Sequence, residues 1–441
     1  MDFLTGNIRA LYRKYLIASL GSTLAMSIYS FVDAIAVGRS EGPAGAAAMA
    51  VITPLYGILI FLGILCGIGG AVLMTNAKGE GQEEKGNSYF TVSLALIALL
   101  AAMGWVAMGL FHRQIFTFFG ADETTYAKVM EYARWIIRFF PVFLAPAFLG
   151  AFIRNDGAPG LAMGAVLTGG IVNVFGDWFL VFPLGMGIQG AAIATVIGNC
   201  LQVVILCSHF FRKKCHLRLV KPNSWRGTAC ETLTIGFSSS VLELGNILLP
   251  ILLNNQMMRY GGAAALAVYG VVSTVSSLLQ SLFSGVGQAI QPLVSTNFGA
   301  KQTDRVWTTL RMSLVTVIAM GLFFTALGEL FPLSITRLFI TSVTEEVLAV
   351  APVIIRSYFL VFLFLGITVL ATYHLQSTLR FQLSIVVSLL RSVVVSGMLL
   401  LVLPVFFDFP GVLAAMPVSE WLMAVVSLAL IGKGEPELQK R

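Results

Sequence analysis

Charge is scarce in this chain. Only 11% of its 441 residues are Asp, Glu, Lys or Arg, against about a quarter in soluble domains. So few charges cannot solvate a protein surface, and a hydrophobic content of 57% with a mean hydropathy of +0.87 leaves apolar side chains facing outward. Histidine and cysteine are sparse as well. His112, His209, His216 and His374 are scattered without ligand spacing, which argues against a metal site. Cys66, Cys200, Cys207, Cys215 and Cys230 are odd in number and form no CxxC pair, so they read as packing residues rather than a disulfide framework. Short alternating strands are missing too, and with them the membrane-embedded barrel.

The sequence does contain long apolar runs. Stretches of about 20 residues bounded by Gly, Pro or charge recur about twelve times. The first six are 15–38, 47–76, 88–110, 130–152, 161–183 and 188–211; the second six are 230–258, 264–296, 308–331, 347–374, 382–405 and 411–431. In lipid such segments must be helices, because hydrocarbon offers no partner to a free backbone N–H or C=O. The expected fold class is an all-α integral membrane protein.

The formal net charge of +7 and pI of 9.2 could suggest nucleic acid, but the basic residues sit where topology needs them. Arg9, Arg13 and Lys14 precede the first span, Arg212, Lys213, Lys214, Arg218, Lys221 and Arg226 follow the sixth, and Lys301, Arg305 and Arg311 follow the eighth. Alternating the loops places about 19 of the 28 Lys and Arg on the side of the N-terminus and about five on the other. Both termini are therefore expected in the cytoplasm, with no nucleic-acid partner. The opening MDFLTGNIRALYRKY lacks the short apolar core and small-residue cleavage site of a signal peptide, so the first span is expected to act as its own insertion signal.

The longest basic loop divides six spans from six. GAAAMAV (45–51) leads into GIGGA (67–71) in the first half, and GAAALAV (262–268) leads into GVGQA (285–289) in the second, at an offset of 217 or 218 residues. An even number of spans per half gives both copies the same orientation. This predicts two six-helix lobes related as parallel repeats, with an N-terminal lobe over 1–211, a basic interlobe loop over 212–229 and a C-terminal lobe over 230–441. Two such lobes around a cleft suit transport by rocking. Gly67, Gly69, Gly285 and Gly287 fall inside spans, where small residues serve close helix packing; a nucleotide loop would need a strand before it.

Few charges lie within the spans, and a charge at the bilayer centre costs about 2.5–3.5 kcal/mol on insertion scales. Asp33, Asp177 and Thr195 all fall roughly 8–10 Å below the same end of spans 1, 5 and 6, at 1.5 Å of rise per residue. Asn173 lies one turn from Asp177 on the same helix face. Two carboxylates in a low dielectric need a cation or a shared proton, and an amide and a hydroxyl beside them complete an oxygen cage suited to Na⁺ or H⁺. The competing reading is that the two acids merely hydrogen-bond neighbouring helices. The repeat offset sets Pro250 opposite Asp33 and Arg391 opposite Asn173, so the second half does not duplicate the cage. There Glu243, halfway along span 7, is read as attracting a cationic substrate or carrying a proton. Glu420 in PVSEWL is placed to pair with Arg391, which would make both structural. Tyr29, Met257, Tyr269 and Tyr373 are candidates to line an adaptable apolar pocket.

Several stretches resemble the multidrug and toxic compound extrusion (MATE) transporters of bacteria along essentially the whole chain. They are FVDAIAVG (31–38), FIRNDGAPG (152–160), IVNVFGDWFLVF (171–182), GIQGAAIATVIGN (187–199) and NFGAKQTDR (297–305), together with LLRSVVVSGMLLLVLP and PVSEWL. The resemblance implies export of amphipathic or cationic compounds across the bacterial plasma membrane in exchange for H⁺ or Na⁺, without ATP or a cofactor, by a multi-pass protein read as a monomer. It carries the cation site over to Asp33, Asn173, Asp177, the backbone of Ala191, and Thr195. Glu243 resembles an acid found in span 7 of many members, one turn earlier than their usual position, whereas YFLVFLFLGITVLATYHLQS lacks the acids some members carry in span 10.

Two other readings compete. A flippase for lipid-linked sugars, from the same wider superfamily, would need cations in the cleft to neutralise a pyrophosphate, and Arg391 is the residue that fits. A membrane-embedded enzyme would need a nucleophile and base, or His and acidic metal ligands, at one depth, and no His falls within reach of the acidic layer.

Overall fold

The computed structural model describes residues 3–121, 123–339 and 345–433. Its elements are helices α1 (Ile8–Gly79), α2 (Glu83–Phe118), α3 (Glu123–Arg138), α4 (Phe140–Asn155), α5 (Pro159–Gly176), α6 (Gly187–Cys207), α7 (Trp225–Gly299), α8 (Thr303–Leu330), α9 (Pro332–Phe339), α10 (Glu345–Phe359), α11 (Phe362–Ser377), α12 (Phe381–Leu389) and α13 (Ser396–Lys433). A π-helical turn over Asp177–Val181 extends α5, and another over Leu390–Val395 joins α12 to α13. Among the described residues eight helical stretches are long and apolar enough to cross a membrane, or nine when the bent pair α3 and α4 counts as one. The stretch from Phe381 to Gly432 runs 52 residues, enough for the two expected spans. The leading parts of α1 and α7 are helical over residues 15–38 and 230–258, which accounts for the remaining two. The chain is an all-helical, multi-pass membrane protein of twelve spans.

The breaks have local causes. Gly262 adopts φ 71°, ψ −170°, a conformation open essentially only to glycine, and it divides α7 into the two expected spans. Asp408 divides the last two spans at φ 49°, ψ −135°, where a side chain is strained. Span 4 is bent by 59° between α3 and α4, where Pro141 opens α4 without needing an N–H partner.

Two compact units emerge. The first comprises Arg13–Ser240 and the second Phe3–Tyr12 with the chain from Val241 onward. The N-terminal segment is fixed within the second unit by Arg305, whose Nη2 donates to the carbonyls of Phe3 and Gly6 at 2.7 and 2.8 Å, and by Tyr12, whose hydroxyl donates to Thr316 at 2.8 Å. In the first unit helices meet backbone to backbone. A Cβ on Gly69 would overlap the Thr232 carbonyl, one on Gly236 would overlap the Leu65 carbonyl, and one on Gly67 would fall 2.9 Å from the Phe148 Cα. Within the second, a Cβ on Gly287 would enter the Tyr373 ring. These glycines pack helices, as their position inside the spans implied.

The loop after α6 is held along the first unit. The amides of His216, Arg218 and Val220 donate to Asp156, Asn87 and Thr91 at 2.9, 3.3 and 3.0 Å.

Candidate functional site

Within the first unit, α1, α3, α5 and α6 bring oxygen atoms together at one depth. Asp33 stands on α1, Tyr132 on α3, Asn173 on α5, Asp177 at the start of the π turn, and Ala191 and Thr195 on α6. All are buried; Asp177 is 1% exposed and Asp33 8%. Apolar burial alone cannot account for two acids here, because each charge loses its water. The π turn supplies part of the reason for their placement: an i→i+5 turn widens the helix locally and re-aims side chains, and such turns recur at functional sites.

The donors can be counted. The Thr195 hydroxyl donates to the Ala191 carbonyl at 3.0 Å and accepts from Asn173 Nδ2 at 3.1 Å. The Tyr132 hydroxyl lies 3.4 Å from both Asp33 Oδ2 and Thr195 Oγ1, and 3.0 Å from the Tyr56 hydroxyl. With the Thr195 proton committed to Ala191, Tyr132 has one proton for two acceptors, and neither contact reaches the usual 2.7–2.8 Å or so of an O–H···O bond. Asp33 Oδ1, both carboxylate oxygens of Asp177, and Asn173 Oδ1 are buried without a hydrogen-bond partner among the described residues. Four buried acceptors left without a donor among the described residues make a site that is short of positive charge. A cation or a bound proton would supply it, and that is what this arrangement can do chemically.

Tyr132 and Tyr56 were not marked by sequence. A hydroxyl on an aromatic ring carries no charge signature, and only the shared depth of Tyr132 in span 4 could have drawn notice. Tyr29 lies at the edge of the same group, its ring 3.0 Å from where a Cβ on Gly170 would be.

The second unit is arranged differently. Arg391 Nε donates to both oxygens of Glu420 at 2.9 and 3.2 Å, and the Thr368 hydroxyl donates to Glu420 Oε2 at 2.9 Å. Arg391 lies in the second π turn, and Ser396 ties that turn to Ser419 at 2.7 Å. The pair is buried and internally compensated. Tyr269 packs on Tyr358 with ring centroids 6.1 Å apart, while Met257 and Tyr373 are buried in the same unit. Glu243 belongs to α7, but its side chain lies outside the described residues.

A second polar centre occurs at the end of the first unit that carries the basic loops. Asp156 accepts from Lys78 at 3.1 Å, from His209 at 2.9 Å and from the His216 amide at 2.9 Å. Burial works against the charged carboxyl, but these donors outweigh it and hold Asp156 below the ordinary Asp value. Ligand atoms of Asp156, His209 and Cys215 lie within 4.8 Å of one another, so His209 is not the isolated histidine its spacing suggested. Each oxygen of the carboxylate already accepts from a protein donor.

A profile of the MatE family matches residues 18–179 and 243–402. The multidrug export protein MepA of Staphylococcus aureus is 22% identical over 419 residues, covering 93% of this chain and 90% of that protein. MepA of Staphylococcus saprophyticus is 22% identical over 418 residues at the same coverage. Among solved structures, one of MATE in complex with MaL6 superposes with a TM-score of 0.92 at 19% identity, covering 100% of this chain and 99% of that one. An outward-facing multidrug resistance MATE transporter of the MOP superfamily gives a TM-score of 0.92 at 19% identity, with 100% and 98% covered.

Proposed function

The chain belongs to the MatE family, and from that premise we propose that it is a secondary active antiporter exporting amphipathic, often cationic compounds in exchange for H⁺ or Na⁺ by alternating access. It is a transporter, not an enzyme. The names of its MepA relatives support multidrug export. The observation that carries the coupling part is the set of four unpartnered buried oxygens on Asp33, Asn173 and Asp177. Asp33 and Asp177 bind the coupling ion, Asn173 and Thr195 complete its oxygen shell, and the Ala191 carbonyl fixes the Thr195 hydroxyl so that its lone pairs face inward. Tyr132 serves as the donor that steadies Asp33 when the ion has left. In the second unit Glu243 either meets the cationic substrate or carries a proton.

The flippase reading is not favoured. It relied on a free cation at Arg391, and Glu420 takes up the Nε edge of that guanidinium. The protein resides in the bacterial plasma membrane with both termini cytoplasmic, a reading supported by the concentration of Lys and Arg in alternate loops. Dye efflux from proteoliposomes under separately clamped pH and Na⁺ gradients tests the whole reading. It should respond to one of the two gradients, and Asp33→Asn and Asp177→Asn should each abolish that response. Efflux indifferent to both gradients, or coupling that survives Asp33→Asn, would reject it.

A further inference from the structure

Beyond the transport path, the first unit contains an outward groove of about 360 Å³ between α2 and the first turn of α7. Its floor is apolar. Val92, Leu96 and Leu99 line it on α2, which over these residues rises about 10 Å at 1.5 Å per residue. At its mouth stand Trp225 and Arg226, and both are exposed. A tryptophan beside an arginine at the end of a membrane helix marks the headgroup level, with the aliphatic residues of α2 reaching from there into hydrocarbon.

Arg226 is the charged residue in the lining itself. The loop that ends at α7 is held against α2 by the Arg218 and Val220 amides on Asn87 and Thr91, the latter adjoining Val92 of the groove, so the backbone that carries Arg218 and Lys221 runs along α2. Glu231, the neighbouring acid on α7, accepts the Tyr89 hydroxyl at 2.6 Å. The mouth therefore offers the Arg226 cation over an apolar slot, beside the basic loop that precedes α7. That pairing matches an amphiphile with a negative head.

We propose that this groove is a binding site for an anionic phospholipid of the adjoining leaflet, with one acyl chain along Val92, Leu96 and Leu99 and the phosphate at Arg226. The lipid holds the start of α7 to α2 within the first unit. The proposal does not depend on which ion or drug the protein transports, since binding is read without transport.

Native mass spectrometry of the full-length protein decides it, with phosphatidylglycerol and phosphatidylcholine of identical chains as probes. A basic residue at the surface adds about 1 kcal/mol for an anionic lipid, so phosphatidylglycerol should bind roughly fivefold more tightly than phosphatidylcholine. Arg226→Ala should remove that preference and leave the weaker chain-driven binding. Leu96→Trp, which fills the slot, should remove the bound lipid of either class. Equal binding of the two lipids to the unaltered protein would overturn the proposal, and so would a preference that survives both substitutions. Arg226 is exposed and makes no side-chain hydrogen bond or ion pair among the described residues, so its removal leaves the fold intact and the first variant remains interpretable.

Discussion

Tyr132 has a single hydroxyl proton between Asp33 and Thr195, each 3.4 Å away, and nothing else within the site donates to Asp33. Tyr132→Phe keeps the ring against Tyr56 and removes that proton. A hydrogen bond to a charged group contributes about 1.5–3 kcal/mol, so gradient-driven efflux should fall at least roughly tenfold, while Thr195→Ser, which keeps the hydroxyl, stays near the unaltered rate. Equal rates in Tyr132→Phe and the parent would show that the hydroxyl has no part in coupling. The four residues Asp33, Asn173, Asp177 and Thr195 were legible in sequence because charge and amide groups stand out in apolar helices and their depth follows from residue counting. Tyr132 was hidden by its ordinary character. The meeting of Asp156 with His209, 53 residues apart in sequence, was hidden because no periodicity links a loop to a helix end.

Asp156 yields a prediction with a definite sign. Its carboxyl is held below the ordinary Asp value, so its contribution is complete above about pH 4 and is lost as pH falls through the lower folded value. Asp156→Asn leaves Lys78 and His209 without their shared acceptor and should cost about 3 kcal/mol at neutral pH. Thermal unfolding in detergent checks both parts. The gap between variant and parent should be constant from pH 5 to 7 on the Asp156 account and close only below about pH 4.

The helices themselves were legible at the level of spans, since apolar length dictates them, but their joints were not. Gly262 and Asp408 do the same job at equivalent ends of the second unit's helix pairs, one without strain and one with it. A non-glycine residue in such a region costs about 1–3 kcal/mol. Asp408→Gly should therefore raise the unfolding temperature, and Gly262→Ala should lower it, both by a few degrees in the same assay. An Asp408→Gly protein less stable than the parent would mean that the side chain, rather than the backbone, matters there. The π turns were also invisible to hydrophobic pattern, because one extra residue in a turn leaves composition unchanged. The repeat offset sets Asp177–Val181 about one turn beyond Leu390–Val395, so each copy has a widened helix in the corresponding span, but not at the same position and with different side chains upon it.

At the scale of the molecule, that difference divides stability from coupling. In the first unit three of the four carboxylate oxygens of Asp33 and Asp177 lack a donor among the described residues; in the second, Arg391 and Glu420 satisfy each other, with Thr368 on the second carboxylate oxygen. The repeat pattern made the two lobes legible, and the offset showed that their charges would not match, but only the placed side chains distinguish a deficient cage from a closed pair. Neutralising an unsatisfied buried acid removes a desolvation cost of about 1–3 kcal/mol, so Asp33→Asn and Asp177→Asn should unfold at higher temperature than the parent while losing their response to the ion gradient. Removing one partner of the closed pair does the reverse. Arg391→Met or Glu420→Gln strands a buried charge or its donor and should cost about 3–5 kcal/mol, whereas Arg391→Met with Glu420→Met together should recover most of it. Each of these Arg391 and Glu420 variants that folds should retain gradient-driven efflux. The two measurements, unfolding temperature and gradient response, must therefore move in opposite senses in the two units; if Arg391→Met with Glu420→Met were stable yet uncoupled, the closed pair would belong to the transport cycle.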